Sequence, residues 1–110
     1  MKLYLDSTDN TQVIVKLDGK EFTHQVASPR EQDVFGFLIS CLKKESLIPQ
    51  DITEIEVNTG PGSFTGTRIG VSIANALGFS LDIPINGQKR PVEPIYSSPP
   101  TKAIDISYNS

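Results

Sequence analysis

The sequence is short of the residue types that most often carry metal, redox or nucleophilic chemistry. Among 110 residues it has one cysteine, Cys41, one histidine, His24, and no tryptophan. A single cysteine excludes a disulfide within the chain, and Cys41 falls on an apolar helix face, where we predict it to be buried. With no second histidine at ligand spacing, a zinc site would have to consist of carboxylates alone, which is atypical. We therefore predict no metal site and no cofactor.

Positive charge and long apolar runs are also scarce. Ten Lys and Arg residues against thirteen Asp and Glu residues give a formal net charge of -3. This balance argues against independent binding of RNA or DNA, which usually requires a basic patch. No apolar run approaches the length of a membrane span, and the first residues turn polar too soon for a signal peptide. We predict one cytoplasmic domain without a membrane segment.

The chain is organised around a strand, a tight turn and a helix. Residues 52–57 alternate apolar and polar side chains, as a half-buried strand does. The strand ends at a Gly-Pro-Gly turn, after which Ser63 or Thr65 can cap a helix. Arg68, in the first turns of this helix, could contact an acidic group or a phosphate, or be solvated. The residues of this structural motif are Gly60, Pro61, Gly62, Ser63, Thr65, Gly66 and Arg68.

A glycine-rich turn before a helix can also bind phosphate, because free N–H groups and the helix dipole attract anions. The spacing argues against that function in this chain. A Walker loop needs a lysine after its second glycine, and none lies between Glu45 and Lys89. A dinucleotide loop needs a third glycine, and Thr65 occupies that position. We favour a structural corner that lets the helix lie close to the sheet.

The helix after the turn has a wide apolar surface. At about 100° per residue, its small residues form a strip at four-residue spacing beside a ridge of Ile69, Ile73, Ala76 and Leu77, and together with Val71 these cover roughly 220° of the circumference. A sheet can cover one side of such a helix. We expect a second helix, from this chain or another molecule, to pack against the small-residue strip, because residues without side chains let backbones approach.

The other elements follow from similar patterns. Strands are predicted at 2–5, 12–17 and 20–26, with a hairpin turn at Asp18-Gly19. A first helix is predicted from Ser28, which with Pro29 and Glu31 has capping-box spacing, to Glu45. A fifth strand is predicted at 82–87. Beyond Gly87 the chain is proline-bearing, and residues 88–110 are predicted to be a tail with a possible edge strand at 103–108.

Several of these features together resemble the TsaB (YeaZ) family. They are the order of elements, Asp-Ser-Thr after the first strand, the run from Thr59 to Val71, and Asn75-Ala76-Leu77-Gly78 before Ile83-Pro84-Ile85. That family belongs to the Gcp or peptidase M22-like group of the actin/Hsp70/sugar-kinase superfamily. The resemblance covers residues 1–87 and the first half of a usual family member. It implies a single actin-like (ribonuclease H-like) half-domain of α/β class, with a five-stranded mixed sheet whose first three strands are antiparallel and with two main helices.

The resemblance also implies a function. Family members are non-catalytic subunits of the machinery for N6-threonylcarbamoyladenosine (t6A37) in tRNA. They pair with the catalytic paralogue TsaD through a bundle of the two helices, and reach tRNA only through that complex. We expect the partner surface, which could also close a homodimer, to include Val34, Leu38, Leu42, Gly66, Gly70, Val71, Ala74 and Gly78. A leucine at Gly70 is expected to block this contact and leave the fold intact.

Two other functions remain open. Asp6 lies where superfamily kinases place a metal-linked carboxylate, so Asp6, Ser7 and Thr8 could be a vestigial nucleotide site of a small nucleotide-dependent enzyme. The alternative, which we favour, is that they are turn residues. The chain could also be a degenerate, self-associating relative with another partner.

Overall fold

The computed structural model describes residues 1–26 and 33–95 of the chain. Within these residues four β-strands form one sheet, in the order β3-β2-β1-β4, and two α-helices pack on it. The elements are β1 (Lys2–Asp6), β2 (Gln12–Leu17), β3 (Lys20–Gln25), α1 (Val34–Lys44), β4 (Glu54–Val57) and α2 (Phe64–Leu81). The first three strands are antiparallel and β4 runs parallel to β1. The predicted α/β fold, with a mixed sheet and two main helices, is confirmed.

One face of the sheet carries the core. Along β1, β2 and β4, buried side chains alternate with more exposed ones, as in a sheet covered on one side. Leu5 pairs with Val15 across the antiparallel strands, and Leu3 pairs with Ile55 across the parallel ones. All four side chains belong to the core beneath α1 and α2. The opposite face bears charged groups, including the ion pair between Lys2 Nζ and Glu56 Oε1 at 2.9 Å.

The predicted fifth strand is wrong, because the chain turns where that strand should continue. Ile85 makes a single bridge to Ile55, and then Asn86 (φ 50°) and Gly87 (φ 80°) adopt the left-handed conformation. Two such residues in succession form a tight hairpin turn. The carboxamide of Asn86 completes the pairing in place of a strand: Val57 N–H donates to its Oδ1 (2.8 Å), and its Nδ2 donates to Val57 C=O (3.1 Å). The sheet therefore has four strands, and a side chain closes part of its β4 edge.

The first helix begins later than its sequence pattern predicts. The structure starts α1 at Val34 with Asp33 as the N-cap, whose Oδ1 accepts from Gly36 N–H at 2.9 Å. The predicted cap, Ser28, lies outside the described residues, with Pro29 and Glu31. The end at Lys44 agrees with the predicted end within a residue.

The predicted strand, turn and helix around Gly60 are present. Ser63 caps α2 by accepting from Gly66 N–H at 3.1 Å, and Asp82 ends the helix in the left-handed conformation. The small-residue strip of α2 faces the sheet. Ser7, which is buried at the end of β1, donates from its Oγ to Gly66 C=O at 2.6 Å.

Gly70 also lies against Ser7. A Cβ at Gly70 would overlap Ser7 Oγ, so a larger residue requires either that Ser7 Oγ leave its hydrogen bond to Gly66 C=O or that α2 move away from the sheet. The strip therefore serves close packing of helix on sheet, and the expectation that a leucine there would leave the fold intact is corrected.

We predict that Gly70→Leu lowers the free energy of unfolding by about 3 kcal/mol, the upper end of the usual range for an overfilled interior. The matched control is Ser72→Leu, which adds the same side chain at an exposed position of α2 and should change stability little. Urea unfolding followed by circular dichroism measures both. If the two variants are equally stable, α2 does not pack on the sheet as closely as described.

Candidate functional site

The structure brings two sequence-predicted groups together at one edge of the sheet. Asp6, Ser7 and Thr8 follow β1, and the Gly60 turn follows β4. Because β1 and β4 are parallel, their carboxyl ends lie side by side. Open α/β sheets commonly bind ligands at this edge.

The carboxylate of Asp6 is fully used by the chain itself. Its Oδ1 accepts from the N–H and the hydroxyl of Thr8, at 2.9 and 2.7 Å. Its Oδ2 accepts from Asn58 Nδ2 at 3.1 Å and from the Tyr4 hydroxyl at 3.3 Å. A carboxylate has about four lone-pair positions, so these bonds leave none for a metal or nucleotide. The geometry therefore favours the turn function of Asp6, which also joins β1 to the segment after β4.

Tyr4 shares this cluster. Partial burial, together with the negative charge of Asp6, raises the pKa of the Tyr4 hydroxyl above its ordinary value. The phenol therefore remains a neutral donor to Asp6. Lys16 Nζ lies 5.2 Å from the centre of the Tyr4 ring, on the open face of the sheet.

The Gly60 turn is filled by the chain's own atoms. Gly60 N–H donates to Asn58 Oδ1 at 3.0 Å, and Ser63 N–H donates to Thr8 C=O at 2.8 Å. Side chains are excluded at both glycines: a Cβ would overlap the Ile95 carbonyl oxygen at Gly60 and the Thr8 side chain at Gly62. This packing supports the structural interpretation of the turn over a phosphate cradle.

Other candidate groups are dispersed. Among residues 1–26 and 33–95, no three His, Cys, Asp or Glu side chains come together as a metal site would need. The imidazole of His24 stacks on Phe37 with ring centroids 5.2 Å apart. Cys41 is buried, which raises the pKa of its thiol and makes it a poor nucleophile. Over the same residues, no helix is long and apolar enough to cross a membrane.

The residues predicted to contact a partner are buried in the chain's own interior. Those on α1 lie over the sheet, and those on α2 form the strip described above and its neighbours. They are Val34, Leu38, Leu42, Gly66, Gly70, Val71, Ala74 and Gly78. While the fold is intact, these residues are not available to another molecule.

Both helices nevertheless keep apolar side chains on their outer sides. We define the outer helical surface as Phe35 and Ile39 of α1 with Ile69, Ile73 and Phe79 of α2. Phe35 is 50% exposed and Phe79 is 90% exposed, and the three isoleucines are partly buried. Thr65, Arg68, Ile69, Ser72 and Ile73 line a shallow groove on α2. The guanidinium of Arg68 stacks 5.0 Å from the centre of the Phe64 ring.

The sequence pattern missed Phe35 and Phe79, although a signal was available. On a helical wheel of about 100° per residue, Phe79 lies opposite Gly70. Once the strip faces the sheet, Phe79 must therefore face outward. The missing information was which side of α2 the sheet covers.

Comparison with known proteins gives a consistent similarity. Residues 26–88 match the family model described as TsaD, tRNA N6-adenosine threonylcarbamoyltransferase. The chain is 38% identical over 89 residues to the tRNA threonylcarbamoyladenosine biosynthesis protein TsaB of Bacillus subtilis (strain 168), covering 66% of this chain and 39% of that protein. It is 32% identical over 83 residues to the protein of the same name in Escherichia coli (strain K12), covering 74% of this chain and 36% of that protein.

The fold is similar to a solved structure, YeaZ from Pseudomonas aeruginosa. The TM-score is 0.64 at 26% identity, over 76% of this chain and 41% of that chain. The chain thus spans about two fifths of the length of the relatives that it matches.

We predict that Asp6→Ala lowers the free energy of unfolding by about 2 kcal/mol, because it leaves donors on both sides of the turn without their acceptor. The matched control is Asp9→Ala. Asp9 accepts from the N–H and hydroxyl of Thr11 at 2.9 and 2.7 Å, so it makes the same two hydrogen bonds to the residue two positions on, but its side chain is exposed. Its loss should cost clearly less. Urea unfolding measures the stability of both variants. If Asp6→Ala loses no more stability than Asp9→Ala, the hydrogen bonds of Asp6 do not hold β1 to the segment after β4.

Proposed function

Since the chain belongs to the TsaD family, among its TsaB (YeaZ) members, we propose that it is a non-catalytic subunit in the t6A37 modification of tRNA. In this proposal it binds a TsaD-like catalytic paralogue through the outer helical surface. The observation that carries the proposal is the apolar side of α1 and α2 that residues 1–26 and 33–95 leave uncovered. The two helices lie next to each other on one face of the sheet, so together they offer a broad platform.

The composition of this surface supports a protein partner. Exposed apolar patches are uncommon on isolated domains and mark interaction sites when they are contiguous. Phe79 and Phe35 are large and exposed, and aromatic side chains often supply much of the binding energy of an interface. Paired helices of a partner can pack on such a platform by fitting side-chain ridges into grooves. The same surface would allow a homodimer when the paralogue is absent, since a self-complementary patch closes with two-fold symmetry.

The chemistry of the strand ends supports the absence of catalysis. The one carboxylate at the position expected of a metal-linked group, Asp6, already has its lone pairs occupied. A chain with a formal net charge of -3 is also poorly suited to hold tRNA by itself. In our proposal, the paralogue supplies the active site and tRNA is reached only through the complex.

The test is the affinity for the TsaD-like paralogue from the same cell. We predict that Phe35→Asp and Ile73→Asp each weaken binding about 30-fold or more, since leaving an unpaired charge buried in an apolar interface costs about 2 kcal/mol or more. The control is Thr23→Asp, which introduces the same charge at an exposed position of β3 away from both helices. Isothermal calorimetry measures binding, and circular dichroism verifies that each variant is folded.

The outcomes separate the remaining functions. If Thr23→Asp weakens binding as much as the two helix variants, the outer helical surface is not the contact. If the wild-type chain binds no paralogue and yet self-associates through the same side chains, it is a self-associating relative with another partner. If magnesium and ATP bind the chain alone with measurable heat, the assignment as a non-catalytic subunit fails.

A further inference from the structure

Asn75 joins the segment that follows the Asn86-Gly87 turn to the flank of α2. Asn75 Nδ2 donates to Val92 C=O at 3.0 Å, and Asn75 Oδ1 accepts from Val92 N–H at 3.0 Å. We infer that Asn75 is a docking residue for residues 91–95, and that it positions this segment across the Gly60 turn. The inference does not depend on the proposed function.

The chemistry of Asn75 suits the segment it holds. A carboxamide has a donor and an acceptor side by side, so it can pair with both backbone groups of one residue as a neighbouring strand would. Val92 lies between Pro91 and Pro94, which have no N–H groups and favour an extended backbone without internal hydrogen bonds. Such a segment needs outside partners for its backbone. The carboxamide of Asn75 provides both partners for the backbone of Val92, and the Val92 side chain packs against the core.

A second contact completes the docking. Ile95 N–H donates to Thr59 C=O at 2.5 Å, and the Ile95 carbonyl oxygen occupies the place where a Cβ of residue 60 would lie. Gly60 (φ 104°) therefore serves both the turn conformation and this close approach. The Ile95 carbonyl oxygen of the docked segment therefore occupies the space beside Gly60. While the segment is in place, that space is not open to an anion.

The position of Asn75 separates the docking from the isoleucines of the outer helical surface, whereas Phe79, four residues further on, lies on the same flank of α2 as Asn75. On a wheel of about 100° per residue, Asn75 lies about 160° from Ile73 and about 120° from Ile69. The 91–95 segment thus follows a different flank of α2 from these isoleucines. Ile95 lies near the carboxyl end of β4, so residues 91–95 reach the edge of the sheet where its parallel strands end.

The experiment is amide hydrogen exchange of the full chain, followed residue by residue by NMR. In Asn75→Ala we expect the amides of Val92 and Ile95 to exchange about tenfold faster or more, because both anchors are released together. Exchange in β1 and β2 should stay unchanged. Asn75→Asp retains the acceptor for Val92 N–H but places a carboxylate against Val92 C=O, so it should give intermediate protection.

The matched control is Asn10→Ala, the same substitution at an exposed residue of the β1–β2 turn, which should leave Val92 and Ile95 protected. The inference is overturned if Val92 keeps its protection in Asn75→Ala. It is also overturned if β1 and β2 exchange faster to the same degree, because Asn75 would then act on the stability of the whole fold. Faster exchange at Val92 with unchanged exchange at Ile95 would limit Asn75 to a local contact and refute the positioning of the segment on the Gly60 turn.

Discussion

The contact between Ser7 and the glycines of α2 is the constraint on which the other features depend. Ser7 is buried at the end of β1, its hydroxyl bonds the Gly66 carbonyl oxygen, and Gly70 leaves just enough space for it. Interiors are close-packed, so a helix can come this near a strand only where it lacks side chains. The close contact between α2 and Ser7 determines which side of α2 the sheet covers. It also draws the Gly60 turn against Thr8, where Ser63 N–H bonds the Thr8 carbonyl oxygen.

Most of the fold could be predicted from local sequence, because its elements follow from short-range patterns. Alternation identified the strands, the Asp18-Gly19 pair identified a hairpin turn, and Ser63 identified the start of α2. The fifth strand was wrong because Asn86 and Gly87 favour a turn more strongly than residues 82–85 favour a strand. The direction of the small-residue strip could not be read from periodicity. A period shows which residues share a face, whereas the partner of that face is set by a contact between residues 7 and 66, far apart in sequence.

The candidate site was harder to predict for the same reason. That Asp6 follows the first strand is visible in the sequence, but the saturation of its carboxylate depends on Asn58, 52 residues away. Three asparagines act in this way: Asn58 holds Asp6, Asn86 completes the edge of β4, and Asn75 holds Val92. Each carboxamide supplies hydrogen bonds that secondary structure does not provide at that place. An isolated asparagine in a sequence gives no sign of this function, since its partners are backbone or side-chain groups far along the chain.

The two faces of the molecule differ in what they leave unsatisfied, and this difference decides where a partner would bind. On the open face of the sheet, Lys2 pairs with Glu56 and Lys16 stacks on Tyr4, and the paired charges remain hydrated. Covering that face would cost desolvation of paired charges with little apolar area in return. On the helices, Phe35 and Phe79 are in contact with water over half or more of their surface, and covering them releases that water. Burial of apolar surface is the main driving force of association, so the helices, and not the sheet, are the side on which the proposed partner gains most.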